Sequence, residues 1–335
     1  MDAIKVLALF IFTVQTSIKL KCNAYCPQEL HLALHRIREV PTSRLPMTDY
    51  YSPTDVQLPD VINLKDSIIV VKYGGNAMTS PELAELFCED VAELQTLGAK
   101  MVVVHGGSPH INAMLSAVDL DTKFSPSGMR ISTPEVVNIA EMVLCGSVNK
   151  LIANNICNAG GNAIGLSGRD NQIMQCVQSG NREELGYVGN VETVNVDFLK
   201  KLLELDIIPV ISPIGCGMAE YGEEQIAYNI NADVAAARLA QAVEAKQIVY
   251  LTDIEGVLNK NNQLLRDLTL QEAQILIRDK TITGGMIPKV QYAAEAVLNG
   301  VEYAKIIDGR REHALLHQIV SDIDHSLDGG TTIRY

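Results

Sequence analysis

The chain has 335 residues, of which 47% are apolar, with 27 Lys and Arg against 40 Asp and Glu. This length and composition allow a large buried core and exclude wholesale disorder. The net charge of -13 at pH 7 argues against a general nucleic-acid binder, because such a protein needs a basic surface.

Seven cysteines are spread along the chain, and only Cys22 and Cys26 lie close together. An odd and scattered set of cysteines predicts reduced thiols rather than a disulfide framework. No group of histidines and cysteines has the spacing of a zinc site, so we expect no metal site on the protein.

The first sixty residues have the composition of a targeting region. The apolar run Ala3–Val14 has the length of a signal-peptide core and is shorter than the roughly 20 residues of a membrane span. A buried helix or strand is the alternative interpretation of this run. We expect a signal-like segment over residues 1–24, a basic transit-like and linker region over 25–60, and a mature form outside the membrane. The expected destination is the plastid stroma, with the mitochondrion as the alternative.

From Ser67 onward, short apolar runs alternate with stretches that carry helix signals. Continuous apolar runs are typical of buried parallel strands. They lie at Ser67–Tyr73, Lys100–Val104, Ile207–Ile211, Gln247–Leu251 and Tyr303–Ile307.

The intervening segments predict helices. Helix-start signals are Ser80 with Pro81 and the capping boxes Ser132–Glu135 and Thr269–Glu272. The helices themselves include Ala232–Val243 and Met286–Leu298. We therefore expect an α/β fold over residues 61–335, a three-layer sandwich with a mainly parallel central sheet covered by helices. The glycine-broken segment from 174 to 195 predicts a β-hairpin excursion.

Two glycine pairs, Gly74-Gly75 and Gly106-Gly107, follow the first two predicted strands. Ligands bind outside the carboxyl ends of parallel strands, and glycine lets backbone N–H groups approach an anion closely. One such pair is usually a tight turn, but two on neighbouring strands favour a shared phosphoryl site. Neither a Walker A motif nor a dinucleotide-binding glycine motif follows a strand, which disfavours those two classes.

Two lysines and an aspartate stand near the same end of the predicted sheet. Lys72 interrupts the apolar end of the first strand, where a lysine is costly to bury unless an anion meets it. Lys289 falls in the first turn of a predicted helix. Because the N-terminus of a helix is partly positive, this position suits a cation only when the lysine and the helix N-terminus bind the same anion. Asp233 opens another helix. Each lysine taken alone could equally be a solvent-exposed side chain.

These segments, taken in order, resemble the amino acid kinase family and within it the acetylglutamate branch. The resemblance covers roughly residues 67–333. It rests on KYGGNAM at 72–78, VHGG at 104–107, GMR at 128–130, NINAD at 229–233, LTD at 251–253 and GGMIPK at 284–289.

The resemblance implies ATP-dependent phosphorylation of the γ-carboxylate of N-acetyl-L-glutamate in arginine biosynthesis, with Mg²⁺ carried mainly by the ATP phosphates. It implies that Lys72 and Lys289 stabilise the transferring phosphoryl group and that Asp233 orients them. The N-terminal half of the kinase domain would bind acetylglutamate through Gly74, Gly75, Gly106, Gly107, Ser108, Arg130 and Asn229. The C-terminal half would bind ATP through Thr252, Asp253, Gly256, Val257, Thr281, Ile282, Thr283 and Gly285.

The resemblance also implies regulation by arginine. The segment after the last predicted strand looks like the arginine-inhibited branch, which implies arginine contacts at Lys305, Asp308, Gly309 and His313. Gln318 departs from that branch, which often has Glu there, and Pro53 and Pro59 break the N-terminal helix of arginine-sensitive hexamers. A homo-oligomer, a hexamer by resemblance, and a PII-type nitrogen sensor are further implied partners.

One departure concerns the site itself. Ser108 stands where the family usually has a third glycine, and its Cβ would be penalised if the backbone needed positive φ.

Two rival functions remain open at this point. Another amino acid kinase, such as a glutamate 5-kinase or an aspartokinase, would share the lysines but not the KYGGNAM and NINAD combination. A non-catalytic amino-acid-binding module on the same fold would not need Lys72, Asp233 and Lys289.

Overall fold

The computed structural model describes residues 64–78, 80–125, 128–324 and 329–335. The targeting and linker segments expected over residues 1–60 lie outside the described residues.

The described residues form two sheets. The strands are β1 (Ile68–Tyr73), β2 (Lys100–His105), β3 (Ala163–Ser167), β4 (Met174–Gln178), β5 (Gly189–Val194), β6 (Ile208–Ser212), β7 (Ile214–Gly217), β8 (Ala227–Asn229), β9 (Gln247–Thr252), β10 (Asp267–Thr269), β11 (Tyr303–Asp308) and β12 (Thr331–Arg334). The larger sheet has the order β10-β12-β11-β9-β1-β2-β6-β3, and the smaller one has the order β5-β4-β7-β8.

Helices cover the larger sheet. They are α1 (Pro81–Thr96), α2 (Ser108–Ala117), α3 (Pro134–Glu141), α4 (Asn149–Asn158), α5 (Arg182–Leu185), α6 (Val196–Glu204), α7 (Ala232–Ala242), α8 (Leu270–Arg278), α9 (Met286–Leu298) and α10 (Ala314–Asp324). A π-helical turn at Met142–Val148 joins α3 to α4. The joined helix Pro134–Asn158 is long and apolar enough to cross a membrane by length and composition, and half of its most apolar window is buried in the protein.

The predicted α/β sandwich is confirmed. All five predicted strands are present with ends within one residue of the prediction, and all of the larger sheet's ladders are parallel except β11–β12. β1 shows why these strands are continuous apolar runs: Val70 packs into one core, and Ile69 and Val71 pack into the other. A strand that is buried on both faces cannot alternate with polar residues. The short strands β3, β10 and β12 have no such run and were not predicted.

The predicted β-hairpin excursion is present as the antiparallel pair β4–β5. It is larger than predicted, because β7 and β8 extend it to four strands and α5 lies between β4 and β5. An ion pair between Arg182 of α5 and Glu223 fastens it at 2.7 Å, and Tyr228 of β8 donates to the same carboxylate at 2.5 Å. The last strand of the smaller sheet along the chain is β8, and α7 follows it.

Most predicted helix starts are confirmed. Ser80 caps α1 with Pro81 in its first turn, and Thr269 and Glu272 form the predicted capping box of α8. The capping box predicted at Ser132–Glu135 is wrong by one residue, because the N-cap of α3 is Thr133, whose Oγ1 accepts from the Val136 N–H. Ser132 is instead fully buried and its hydroxyl serves the site described below.

Candidate active site

A cavity of about 380 Å³ opens at the carboxyl ends of β1 and β2. The turns after both strands touch, since the Gly106 N–H donates to the Tyr73 carbonyl at 2.8 Å. The cavity brings together all seven residues predicted to bind substrate, with Lys72 and Asp233. They are Gly74, Gly75, Gly106, Gly107, Ser108, Arg130 and Asn229.

One carboxylate lies between two ammonium groups beside this cavity. Lys72 Nζ is 3.0 Å from Asp233 Oδ1, and Lys289 Nζ is 3.2 Å from Asp233 Oδ2. β1 supplies Lys72, the first turn of α7 supplies Asp233, and α9 supplies Lys289. Asn231 caps α7 by accepting from the Asp233 N–H at 2.8 Å, which fixes the aspartate at the helix start.

Burial and charge act against each other in this cluster. Burial lowers the pKa of Lys72 from its usual value, while Asp233 raises it again. Burial would raise the pKa of Asp233, but Lys72 and Lys289 outweigh it and hold the pKa of the carboxyl below its usual range. Two ammonium groups on one carboxylate leave a positive charge uncompensated, which favours an anion in the cavity.

The glycine turns are shaped by close contacts. A Cβ at Gly74 would lie 2.8 Å from Lys72 Nζ, so the lysine reaches the cavity only across a glycine. A Cβ at Gly107 would lie 2.5 Å from Leu144 Cδ2, so this turn packs against the π-helical segment without room for a side chain. Glycine therefore suits both positions because a Cβ there would crowd the neighbouring side chain, and not only because a tight turn favours glycine.

The expected backbone penalty at Ser108 is wrong. Ser108 is the first residue of α2, and its φ is not positive. A helix start leaves its first N–H groups without intrahelical partners, and its dipole favours an anion. Pro109 has no N–H, so the donors here are those of Gly107 and Ser108.

Arg130 is a buried guanidinium held by neutral groups. It is 7% exposed, its Nη1 donates to Thr122 Oγ1 at 2.6 Å, and its Nη2 donates to Asn112 Oδ1 at 2.7 Å. Its guanidinium carbon lies 4.6 Å from the centre of the Phe124 ring. Burial lowers the pKa of Arg130, and no carboxylate of the described residues opposes that effect. An arginine with free donors and no acidic partner is suited to bind a carboxylate.

The orientation of the Asn229 side chain is set by Ser132. Asn229 Nδ2 donates to Ser132 Oγ at 3.0 Å, and Ser132 Oγ donates to the Arg130 carbonyl at 2.9 Å. One hydroxyl therefore links two predicted substrate-binding residues. It also leaves Asn229 Oδ1 as the group that can accept from a ligand.

Residues predicted to bind nucleotide lie in two loops outside the lining of this cavity. Thr252 ends β9, next to β1 in the sheet, and Asp253 is exposed beyond it. Thr281 is held by Asp279, whose Oδ1 accepts from its N–H at 2.9 Å and from its hydroxyl at 2.6 Å. Thr283 and Gly285 follow directly before α9, which carries Lys289.

Three of the predicted nucleotide residues serve the loops themselves. Val257 and Ile282 are 1% and 2% exposed, so their side chains belong to the core. A Cβ at Gly256, whose φ is +145°, would lie 2.7 Å from Thr331 Oγ1. Only the backbone of these residues can face a ligand.

The four residues predicted for arginine regulation lie around a second cavity but do not all line it. This cavity of about 230 Å³ includes Asp308 with Glu255, Glu312 and Gln318. The remaining three lie outside its lining: the Gly309 N–H donates to the Thr252 carbonyl at 2.8 Å, His313 Nδ1 lies 2.6 Å from Asp90 Oδ1, and Lys305 is buried in β11.

Sequence analysis missed four residues that hold Arg130 and Asn229 in place. They are Asn112, Thr122, Phe124 and Ser132. The helix-cap interpretation concealed Ser132, and the other three are single residues in surface segments without any pattern. Their roles depend on contacts with Arg130 and Asn229 that follow no helix or strand period.

Comparisons with known proteins agree with this geometry. Residues 67–308 match the Amino acid kinase family. The acetylglutamate kinase of Neisseria meningitidis serogroup C (strain 053442) is 44% identical over 271 residues, covering 79% of this chain and 89% of that protein. The acetylglutamate kinase of Petrotoga mobilis is 42% identical over 268 residues, covering 79% and 88%.

Among solved structures, smu.665 from Streptococcus mutans UA159 superposes with a TM-score of 0.66 at 27% identity. The match covers 80% of this chain and 98% of that one. Residues 67–308, which match the family, include all the residues that line the cavity. The chain belongs to the amino acid kinase family.

Proposed function

We propose that this chain transfers the γ-phosphoryl group of ATP to the γ-carboxylate of N-acetyl-L-glutamate, a step of arginine biosynthesis that yields N-acetyl-L-glutamyl 5-phosphate and ADP. Relatives named acetylglutamate kinase, 42% to 44% identical to this chain, support the activity. The structural observation that carries the proposal is the buried cluster of Lys72, Asp233 and Lys289 beside a cavity lined by Arg130.

The acceptor needs no catalytic base, because a glutamate γ-carboxylate with a usual pKa of about 4.3 is ionised at neutral pH. A carboxylate oxygen attacks the γ-phosphorus of ATP. The bond from that phosphorus to the bridging oxygen breaks, and ADP leaves with the electron pair. The enzyme must therefore bring two anions together and neutralise charge in the transition state.

Lys72 and Lys289 supply that neutralisation. Both ammonium groups are held by the two oxygens of Asp233, so neither has to reorganise as charge moves onto the phosphoryl oxygens. Asp233 acts as a positioning residue, and its negative charge lets both lysines remain at a buried site. The N–H groups of Gly75, Gly107 and Ser108 complete the set of donors around the phosphoryl group.

Arg130 and Asn229 hold the acetylglutamate. The free donors of Arg130 bind its α-carboxylate, with affinity raised by burial. Because Nδ2 of Asn229 donates to Ser132, Oδ1 is the atom that accepts from the acetamido N–H. This arrangement assigns the N-terminal half of the kinase domain to acetylglutamate.

ATP enters as its Mg²⁺ complex and is bound by the C-terminal half, at the loops around Thr252 and Thr281. The described residues contain no converging group of three His, Cys, Asp or Glu side chains. Mg²⁺ in kinases usually keeps several waters and binds through substrate phosphates. We therefore assign the ion to the phosphates of ATP.

Arginine is the proposed feedback inhibitor, bound in the second cavity. Glu255, Asp308 and Glu312 give that cavity an acidic lining, although Arg311 also lies there and Arg310 pairs with Asp308 at 2.8 Å. An acidic cavity suits a cationic amino acid.

The proposed assembly is a homo-oligomer. β3 is an edge strand of the larger sheet and exposes Ile164, while Met142 and Leu151 are exposed on the helix packed beside it. An uncovered edge strand flanked by apolar side chains suits pairing with a second copy. Hexamer formation and binding of a PII-type nitrogen sensor stay predictions.

Plastid import also stays a prediction. It is supported by the apolar run Ala3–Val14 and by the basic stretch that follows it. The mitochondrion stays the alternative.

Substrate choice tests the activity. In a coupled ADP-release assay on protein that begins near Tyr50, we expect turnover with acetylglutamate at least 100-fold above that with glutamate or aspartate. Comparable turnover with either free amino acid would favour another amino acid kinase. Binding of ATP and acetylglutamate without any turnover would favour a non-catalytic module.

The lysine cluster gives a sharper prediction. Lys72→Met and Lys289→Met should each lower kcat by about 100-fold or more, because each removes a positioned charge from the transition state. Steady-state kinetics and circular dichroism measure activity and folding side by side. Lys200→Met, which removes a lysine on the exposed face of α6, is the matched control and should keep its activity. A kcat above about a tenth of wild type in either site variant contradicts the proposed role.

Arginine inhibition has a direct assay. Millimolar arginine should lower the rate, and Glu312→Gln should weaken the inhibition by about two- to five-fold, because it removes one exposed acidic group from the cavity. Unchanged activity of the wild type in millimolar arginine rules out the regulatory proposal.

Assembly is checked by sedimentation. The wild type should sediment as an oligomer, and Ile164→Lys should shift it toward the monomer, because it puts a charge on the edge strand. A monomeric wild type would contradict the assembly.

A further inference from the structure

The imidazole of His105 lies directly behind the glycine turn that follows β2. The residue is 0% exposed, and its ring has two partners. Nε2 lies 3.1 Å from Nδ2 of Asn149, and Nδ1 lies 2.8 Å from the carbonyl oxygen of Gly106. His105 has no part in the chemistry proposed above, yet it connects α4 to a wall of the cavity.

Backbone carbonyls of two strands fix the amide of Asn149. Its Nδ2 donates to the carbonyl of Leu166 in β3 at 3.1 Å and to that of Val210 in β6 at 2.8 Å. Its Oδ1 accepts from Lys150 Nζ at 3.3 Å. A reversed amide would turn its oxygen toward two carbonyl oxygens and lose both bonds. The amide therefore turns its nitrogen, which cannot accept a hydrogen bond, toward His105.

The tautomer of the imidazole follows from the Gly106 carbonyl. Because a carbonyl oxygen can only accept, Nδ1 carries the proton and donates to it, and Nε2, which faces an amide nitrogen that cannot accept, is unprotonated. Burial lowers the pKa of His105 to about 4, against the effect of the Gly106 bond, and His110 and Lys150 lower it further. The ring is neutral at physiological pH and keeps one tautomer.

That hydrogen bond also sets the direction of the next N–H. The Gly106–Gly107 peptide is trans, so its C=O and N–H point in opposite directions. The buried ring holds the carbonyl, which turns the Gly107 N–H toward the opposite side, where Gly107 lines the cavity. The N–H of Gly106 itself is bound to the Tyr73 carbonyl at 2.8 Å and cannot serve a ligand.

We propose that His105 is a positioning residue for phosphoryl transfer, because its Nδ1–H holds the Gly106–Gly107 peptide with the Gly107 N–H facing the phosphoryl group. The inference rests on the proposed function, which supplies that group. A donor fixed before the reaction needs no reorganisation in the transition state. Loss of the bond therefore lowers kcat more than it raises KM.

Two substitutions of His105 by amide residues test the two hydrogen bonds of the ring separately. The side-chain nitrogen of Asn replaces Nδ1, and the end of a Gln side chain reaches the place of Nε2. In assays with acetylglutamate and ATP, His105→Asn should keep kcat within about three-fold, because it can still donate to Gly106, while His105→Gln should lose about 10- to 100-fold. KM for either substrate should change by less than about three-fold. The control His110→Gln makes the same change on α2 and should leave kcat within about two-fold.

The two variants give clear outcomes against the proposal. Wild-type kcat in His105→Gln overturns it, and so do equal losses in His105→Asn and His105→Gln, which would show that ring volume rather than the bond matters. If the wild type has no activity on acetylglutamate, the proposed function fails, and the following measurement still decides the role of the bond.

Nuclear magnetic resonance of protein carrying ¹⁵N-labelled histidine reads the tautomer without any activity. The His105 signal is the one that His105→Asn removes. It should report a protonated Nδ1 and an unprotonated Nε2, and it should not change between about pH 5.5 and 8. A proton on Nε2, or titration within that range, overturns the proposal, and sequence-specific assignment of the wild type identifies the signal where His105→Asn does not fold.

Discussion

The ion cluster of Lys72, Asp233 and Lys289 is the interaction on which the rest of the structure depends. Moving one charged side chain from water into the protein interior costs several kcal/mol of free energy, so a buried lysine needs an acidic partner in contact with it. Meeting this requirement brings together the end of a central strand and the starts of two helices that are far apart in the sequence. The cluster keeps one positive charge in excess, and an acidic chain with a net charge of -13 thereby presents a local site for anions.

The glycine turns serve this cluster. Lys72 reaches the cavity across Gly74, and Gly107 lets the second turn pack against Leu144, so both turns border the same cavity. Residues that do not line the cavity also determine the orientation of the groups that do. Ser132 fixes the Asn229 amide and His105 holds the Gly106 carbonyl, so neutral side chains orient polar groups that line the cavity.

Features that depend on local pattern could be predicted from the sequence. The continuous apolar run of β1 identifies a strand buried on both faces, and a lysine that interrupts such a run identifies a charge that requires an anion. Ser132, Thr122 and Asn112 could not be predicted in this way, because their contacts with Asn229 and Arg130 follow no helix or strand period and neutral side chains leave no periodic signal. Val257 and Ile282 show a limit of the resemblance: it predicts them in the nucleotide site, and because their side chains belong to the core, only their backbone can face a ligand.

The junction between β8 and α7 carries both halves of the chemistry within a few residues. Asn229 ends a strand of the smaller sheet, and Asp233 lies in the first turn of the helix that packs on the larger one. Under the proposed function, the smaller sheet contributes to recognition of the acceptor, whereas the larger sheet carries the lysine of the transfer step. A connection of two residues between β8 and α7 therefore couples the placement of the acceptor to the placement of the phosphoryl group.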